Sequence, residues 1–129
     1  MLSVVRSIMS DIPKMVIVAN MAASMSIGRL SAQIAHAAVL ALLQIGTWED
    51  NFFRIEAPYD LQYWMKESFT KVVVKAWGED ALLALERQAK AANIKTALMV
   101  EDDGQITALA LGPAPMSTLA PLTKDLILM

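Results

Sequence analysis

Residues 28–38 are GRLSAQIAHAA, and they follow a short apolar run, MVIVA, at residues 15–19. The run predicts a buried strand, and the longer stretch predicts a helix with Gly28 near its start. Arg29, Gln33 and His36 then share one helical face, because they are four and three residues apart. A helix that follows a strand directly also has free backbone N–H groups at its start, which favour a bound anion. The sequence therefore predicts a polar site at the head of this helix.

The rest of the chain predicts strands that alternate with helices. Strands are predicted at residues 14–19, 70–77, 96–100 and 106–111; helices at 26–45, at 60–69, from 78–80 to a cap at Asn93, and from Pro115 or Met116. Residues 47–58 are predicted to form a loop with at most a short irregular element. Alternation favours parallel βαβ units, and the acidic turn at 101–104 favours a final antiparallel hairpin. The predicted fold is α/β, a three-layer α/β/α sandwich around a mixed, mainly parallel four-stranded sheet.

The helix that follows residue 78 has a clear division into two sides. Its buried stripe is predicted to contain Leu82, Leu85, Ala89 and Ala92. Glu86 and Lys90 form an i,i+4 pair on the other side.

Length and composition indicate one domain, residues 1–129, with residues 1–13 as an N-terminal arm. The arm has a weak helical pattern of apolar residues that ends at Pro13. It is compatible with an amphipathic segment that packs on the domain or on a partner, and equally with a frayed terminus.

Composition also excludes several classes of protein. The chain is 56% hydrophobic, but no apolar run approaches the roughly 18 residues of a membrane span, so no membrane association is predicted. The excess apolar surface suits a tight core or an oligomer interface.

The absence of cysteine fits a cytoplasmic protein. With one histidine, a zinc site would need several carboxylates, so no metal is predicted. The net charge of −2 is not typical of nucleic-acid binding.

Several segments of the chain, taken together with their order, resemble the type 2 peptidyl-tRNA hydrolase family, which is the archaeal and eukaryotic type. Together they cover roughly residues 14–129: KMVIV at 14–18, AQ-x-AHAA at 32–38, Trp64 before KVVVKA at 71–76, a helix ending at Lys90, LALGPAP at 109–115, and the tail from Leu122 to Leu128. The resemblance implies hydrolysis of the ester that joins a peptide to the 3′ ribose of tRNA. It also implies tRNA as a partner, no metal or organic cofactor, and a homodimer.

The chain departs from the family pattern at charged positions, which predicts a divergent member. Arg29 stands where the family has a lysine, in a Gly-Lys-Gly-Lys turn that is here residues 26–29. Arginine keeps the charge but cannot shuttle a proton. The acid of the family's Asp-Ala-Gly-Arg-Thr loop matches Glu101 or Asp102 in a shorter loop, and Thr107 matches a family threonine. Residues 47–59 form a longer segment than usual.

The predicted site combines these residues with the helix face. The catalytic candidates are Arg29, His36, Asp102 and Thr107, and the substrate-binding candidates are Gly28, Gln33 and Glu101. Ester hydrolysis needs an activated water and a stabiliser for the developing oxyanion. An acid at Glu101 or Asp102 would activate the water, which Thr107 would position. Arg29 would neutralise the oxyanion or a phosphate, and His36 would share in proton transfer.

Each candidate also has a purely structural interpretation. His36 suits a half-buried structural histidine, and Arg29 suits a simple ion pair with an acid at the turn. Gln33 could tie down a loop, the acids of residues 101–103 suit a solvated turn, and Thr107 suits strand packing.

Three hypotheses about function therefore remain open. The leading one is a divergent peptidyl-tRNA hydrolase. The alternative is a catalytically inactive homologue that binds RNA, an anion or a protein partner, favoured by Arg29, the shortened acidic loop and the negative net charge. The third is an assembly protein whose apolar surface forms an obligate dimer.

Overall fold

A computed structural model describes residues 11–129 of the chain. Its strands are β1 (Pro13–Asn20), β2 (Thr47–Glu49), β3 (Phe52–Arg54), β4 (Lys71–Ala76), β5 (Thr96–Val100), β6 (Ile106–Pro115) and β7 (Ile127–Leu128). Its helices are α1 (Ile27–Leu43), α2 (Tyr59–Tyr63), α3 (Glu79–Ala91) and α4 (Met116–Thr123), with a π-helical turn (Trp64–Ser68) directly after α2.

The main sheet is mixed and has five strands in the order β5-β6-β1-β4-β7. In this sheet of residues 11–129, β1 and β4 pair in parallel, whereas β6 is antiparallel to both β1 and β5, and β7 is antiparallel to β4. The predicted α/β class is confirmed, but the predicted four-stranded, mainly parallel sheet differs from this arrangement. The difference has two causes: the long β6 runs antiparallel between β5 and β1, and the C-terminal tail adds β7 as a fifth strand.

Helices cover both faces of the sheet, as the alternation of side chains along β1 requires. Met15 and Ile17 pack on the face that α1 and α2 cover, whereas Val16 and Val18 pack on the face that α3 and α4 cover. We call these the α1 face and the α3 face. The molecule therefore has three layers, helix on sheet on helix.

Helix ends follow the local sequence closely. Ser26 caps α1, because its Oγ accepts a hydrogen bond from the backbone N–H of Arg29 at 3.3 Å. Asn93 ends α3 with a φ of 59°, a left-handed conformation that asparagine adopts more readily than most residues. Along α3, Leu82 and Ala89 are buried as predicted, but the predicted stripe is wrong at Ala92, which is exposed. That residue lies beyond the last turn, where the helical period no longer applies.

Two further segments differ from the predictions. Residues 47–54 contain a hairpin, β2–β3, where a loop was predicted. The strand predicted to break at Gly112 continues to Pro115, because Gly112 has a φ of 97° and so carries the backbone past the Gly-Pro step. A Cβ at this position would lie 2.9 Å from the carbonyl oxygen of Lys14 on β1. Glycine therefore allows the close approach of β6 to β1.

Most of the predicted N-terminal arm lies outside the described residues. At its end, Asp11 accepts hydrogen bonds from the hydroxyl and the backbone N–H of Ser117, at the start of α4. Pro13 belongs to β1 rather than to the arm. Among residues 11–129, none of the helices has the length and apolar character that a membrane span needs.

Candidate active site

An open pocket of about 460 Å³ lies between the first half of α1 and the turn that joins β5 to β6. The helix contributes Arg29, Gln33 and His36, the face predicted from the sequence. The strand and turn contribute Met99, Val100, Glu101, Asp102 and Asp103. The pocket lies beyond the carboxyl ends of the parallel strands β1 and β4, a position where α/β proteins commonly bind ligands.

Glu101 is the acid that α1 holds in place. Its Oε2 lies 3.2 Å from Nη2 of Arg29, and its Oε1 accepts a hydrogen bond of 2.8 Å from Nε2 of Gln33. The side chain of Glu101 is only 17% exposed, whereas that of Arg29 is 62% exposed. The carboxylate is therefore fixed by two donors from consecutive turns of one helix, and the guanidinium remains open to solvent on its other side.

Thr107 extends this arrangement into the core. Its hydroxyl donates a hydrogen bond of 2.8 Å to Oε1 of Gln33, so that the Gln33 amide is oriented with its Nε2 toward Glu101. Thr107 lies at a β-bulge, where β6 has one residue more than β5 and Thr107 has no register partner on β5. It is completely buried. Thr107 therefore contacts Gln33 and does not line the pocket. This place differs from the predicted one, in which Thr107 positions the attacking water directly.

His36 lies one helical turn beyond Gln33 and is exposed on the wall of the pocket. The interpretation of His36 as a half-buried structural histidine is therefore wrong. The reason is that the buried stripe of α1, formed by Leu30, Gln33, Ala37 and Ala41, lies to one side of Arg29 and His36 and meets the polar face at Gln33. An exposed imidazole in a pocket is accessible for proton transfer with a ligand.

The remaining candidates occupy different places. Asp102, predicted as catalytic, is exposed on the pocket wall, and Glu101, predicted to bind substrate, is the residue that contacts Arg29 and Gln33. Gly28 is exposed in the first turn of α1, outside the lining of the pocket. Met99, Val100 and Asp103 also line the pocket, although they are not among the predicted site residues. Met99 and Val100 directly precede the acidic turn and Asp103 lies within it, and this position in the sequence could have predicted that they line the pocket.

The loops around the site are held together by a buried amide, Asn20, which is not among the predicted site residues. Asn20, at the end of β1, donates from Nδ2 to the carbonyl oxygen of Ile106 at 2.8 Å. Its Oδ1 accepts from the backbone N–H groups of Ala22 and Gly78, both at 3.0 Å. Asn20 therefore fixes the start of β6, next to Thr107, relative to the loops that lead into α1 and α3.

The donor set of the site suits acid–base chemistry on a polar substrate. A carboxylate, a guanidinium and an imidazole meet in one pocket, and an α/β sheet with such a pocket at its loop edge is typical of an enzyme. Within residues 11–129, no group of three or more histidine, aspartate or glutamate side chains is placed to hold a metal ion.

Comparison with known proteins agrees with this class. A family model described as "Peptidyl-tRNA hydrolase PTH2" matches residues 13–129. A protein from Saccharolobus islandicus named peptidyl-tRNA hydrolase is 31% identical over 122 residues, which is 90% of this chain and 98% of the relative. A protein of the same name from Halobacterium salinarum is 34% identical over 121 residues, 89% of this chain and 98% of the relative. The chain belongs to the peptidyl-tRNA hydrolase PTH2 family, and the resemblance found in the sequence is confirmed.

Proposed function

We propose that this chain hydrolyses the ester bond of peptidyl-tRNA in the pocket between α1 and the β5–β6 turn. Family membership supports the reaction, and one structural observation supports the place. In this pocket a largely buried carboxylate, Glu101, is held by Arg29 and Gln33 beside the exposed His36. The substrate is an ester between a peptide and the 3′ oxygen of a ribose, so the site must handle a water, a carbonyl group and an alcohol.

Each of these groups has a counterpart in the pocket. Glu101 accepts a hydrogen bond from the attacking water and takes its proton as the water oxygen adds to the ester carbonyl. The Arg29 guanidinium, which carries N–H groups beyond those that bind Glu101, stabilises the negative charge on the carbonyl oxygen. The bond from the carbonyl carbon to the 3′ oxygen then breaks, and His36 supplies the proton that this oxygen takes. The products are a free peptide acid and a tRNA with its 3′ hydroxyl restored.

Gln33 and Thr107 act through Glu101 rather than on the substrate. Gln33 donates to Glu101 and accepts from Thr107, so the Thr107 hydroxyl sets which way the Gln33 amide points. Both are positioning residues. Asp102, on the pocket wall, and Gly28, in the first turn of α1, are proposed to contact the substrate rather than to transfer protons.

The test is the release of free tRNA and peptide from a labelled peptidyl-tRNA by the purified protein. Arg29→Ala is expected to lower kcat/KM by at least about 100-fold, since a positioned donor for the oxyanion is removed. Arg54→Ala is the matched control. Arg54 is also 62% exposed and also pairs with a glutamate, Glu49, at 3.5 Å, but it lies on the β2–β3 hairpin. It is expected to retain the wild-type rate.

Two outcomes contradict the proposal. Wild-type protein that is no faster than Arg29→Ala has no activity at this site. Binding of uncharged tRNA without hydrolysis favours the catalytically inactive homologue, and a steep salt dependence of that binding indicates contacts to phosphates.

We further propose that residues 1–129 act as one domain, as a homodimer, in the cytoplasm. The family match over residues 13–129 supports a single functional unit. Large exposed apolar side chains support self-association, among them Trp48, Phe52, Trp77, Ile127 and Leu128. Sedimentation that shows a monomer at micromolar concentration would contradict the homodimer.

A further inference from the structure

Strand β5 forms one edge of the main sheet, and its outer side has no strand partner within the described part of the chain. Its sequence from Thr96 to Val100 is TALMV, with no proline and no charged residue. Edge strands usually carry such residues, because a free edge invites pairing with another extended chain. Val100, at the end of the strand, is 45% exposed. An edge strand without these protective residues is suited to accept one more strand.

The register shows which backbone groups face outward. The backbone N–H of Gly112 donates to the carbonyl oxygen of Lys95, so these two residues form a hydrogen-bonded pair of the antiparallel ladder. Bonded and non-bonded pairs alternate along such a ladder. The backbone groups of Ala97 and Met99 therefore face β6. Those at the three alternate positions, Thr96, Leu98 and Val100, face outward.

This edge is continuous with the proposed site. At one end of β5, Met99, Val100 and Glu101 line the pocket described above. At the other end of β5, Thr96 lines a second pocket of about 390 Å³. Gln44 and Ile45, directly after α1, and Lys90 on α3 also line this pocket. The outer edge of β5 thus joins two hollows, one of which contains the carboxylate that acts on the ester.

We propose that the peptide part of the substrate binds as an added strand along the outer edge of β5. This inference rests on the proposed function, because the ester must lie beside Glu101 and its peptide must leave the pocket from there. A hydrolase that accepts peptides of varied sequence can recognise only what they share, which is the backbone. Strand addition supplies main-chain hydrogen bonds without a demand on side chains. The backbone groups of Val100, Leu98 and Thr96 bind successive alternate residues of the peptide.

Amide hydrogen exchange tests this geometry without any need for turnover. The probe is a tetra-alanine peptide joined by an amide, which replaces the ester, to the 3′ end of a short single-stranded RNA. The control probe carries one alanine on the same RNA. The tetra-alanine probe is expected to slow exchange at the outward amides of Thr96, Leu98 and Val100. The inward amides of Ala97 and Met99, which β6 already protects, serve as internal references and are expected to stay unchanged.

Kinetics provide a second measurement, on peptidyl-tRNA with either one acetylated residue or five residues. The longer peptide is expected to have a KM about tenfold lower, as one or two net hydrogen bonds allow. Thr96→Pro removes the outward N–H group that lies farthest from Glu101 and is expected to reduce the advantage of the longer peptide, since Leu98 and Val100 keep theirs. Thr96→Val keeps the N–H and is the matched control. If Thr96→Pro does not fold, a substrate that is N-methylated at alternate residues removes the same bonds from the peptide side.

The inference fails if the tetra-alanine probe binds without slowing the outward amides, or if KM is independent of peptide length. It also fails if the outward amides are protected without probe in proportion to protein concentration, since the edge then pairs with a second copy of the chain. These results differ from a failure of the proposed function, in which no substrate is hydrolysed at any peptide length.

Discussion

The α1 face meets the sheet largely through alanine, whereas the α3 face meets it through leucine and valine. Alanines at the α1 contact come from both helix and sheet: Ala37, Ala41, Ala97, Ala108 and Ala110. The α3 contact instead contains Leu82, Leu109, Leu111 and Leu119, with the valines of β1 and β4. Consecutive residues of β6 thus alternate between a small side chain on one face and a large one on the other.

This difference concerns the contact of α1 itself with the sheet, because elsewhere the α1 face also buries large side chains, namely Met15, Ile17 and Trp64. Small side chains let the backbone of α1 approach the sheet closely enough for Gln33 and Arg29 to reach Glu101 at the end of β5. A buried leucine stabilises the fold by about 1.5–3 kcal/mol, much more than an alanine, because it removes more apolar surface from water. Both faces therefore contribute burial, and the small side chains under α1 also contribute the position of the polar residues.

The largest expected effect is on the α1 side and concerns activity. Glu101→Gln keeps the shape of the side chain but removes the charge that takes the proton from water. It is expected to lower kcat by about 10²–10⁴-fold with little change in the unfolding free energy. The control is Glu49→Gln. Glu49 also pairs with an arginine, Arg54, at 3.5 Å on the hairpin, and its replacement is expected to leave kcat unchanged. Equal rates for the two variants would contradict the role of Glu101.

The next effect is on the α3 side and concerns stability. Leu109 is completely buried, so Leu109→Ala is expected to lower the unfolding free energy by about 2–5 kcal/mol through lost burial and a cavity. The folded fraction is expected to keep the wild-type kcat, measured well below the melting temperature.

Ala110, the neighbour of Leu109 on β6, provides the opposite change. Ala110→Leu is expected to cost about 1–3 kcal/mol by overpacking and to lower kcat as well, because α1 must move away from the sheet. A wild-type kcat for Ala110→Leu would show that the alanines do not position α1.

The features of the molecule that depend on local sequence could be predicted. The helical period places Arg29, Gln33 and His36 on one face whatever the rest of the fold does, and Ser26 caps that helix locally. The α/β class follows from the alternation of strands and helices for the same reason. The order of the strands does not follow, since β7 is a two-residue strand whose exposed side chains show no pattern. It forms only because β4 offers it an edge.

The choice between neighbouring acids was also beyond the sequence. Glu101 and Asp102 stand side by side, and either could match the acid of the family. In the structure Gln33 binds Glu101 and Thr107 together, and Thr107 lies at the β-bulge next to the end of β5. Such a bulge depends on how β6 pairs with two strands at once, and no local pattern indicates it.

Two buried threonines sharpen the comparison of the faces further. Thr107 on the α1 side donates to Gln33, whereas Thr123 on the α3 side donates to the carbonyl oxygen of Leu119 within its own helix. Thr107→Val is expected to cost about 1–3 kcal/mol, because Oε1 of the buried Gln33 loses its donor, and to lower kcat. Thr123→Val is expected to cost less and to leave kcat unchanged. Thermal unfolding and the hydrolysis assay measure both, and equal losses of kcat would contradict a positioning role for Thr107.

The smallest expected effect comes from the polar contact at the start of α4. Hydrogen bonds from the hydroxyl and the backbone N–H of Ser117 hold the pKa of Asp11 below its ordinary value of 3.8. A carboxyl group whose pKa is lowered by folding stabilises the fold above the unfolded pKa and loses that contribution as the pH falls through the folded pKa. Asp11→Asn is therefore expected to flatten the stability profile only below about pH 4. The change at pH 7 is expected to be at most about 0.5 kcal/mol, because solvent screens a group so near the surface. Urea unfolding at a series of pH values measures it. A larger loss at neutral pH would mean that the α3 side relies on polar contacts as much as the α1 side does, and the two faces would no longer differ in kind.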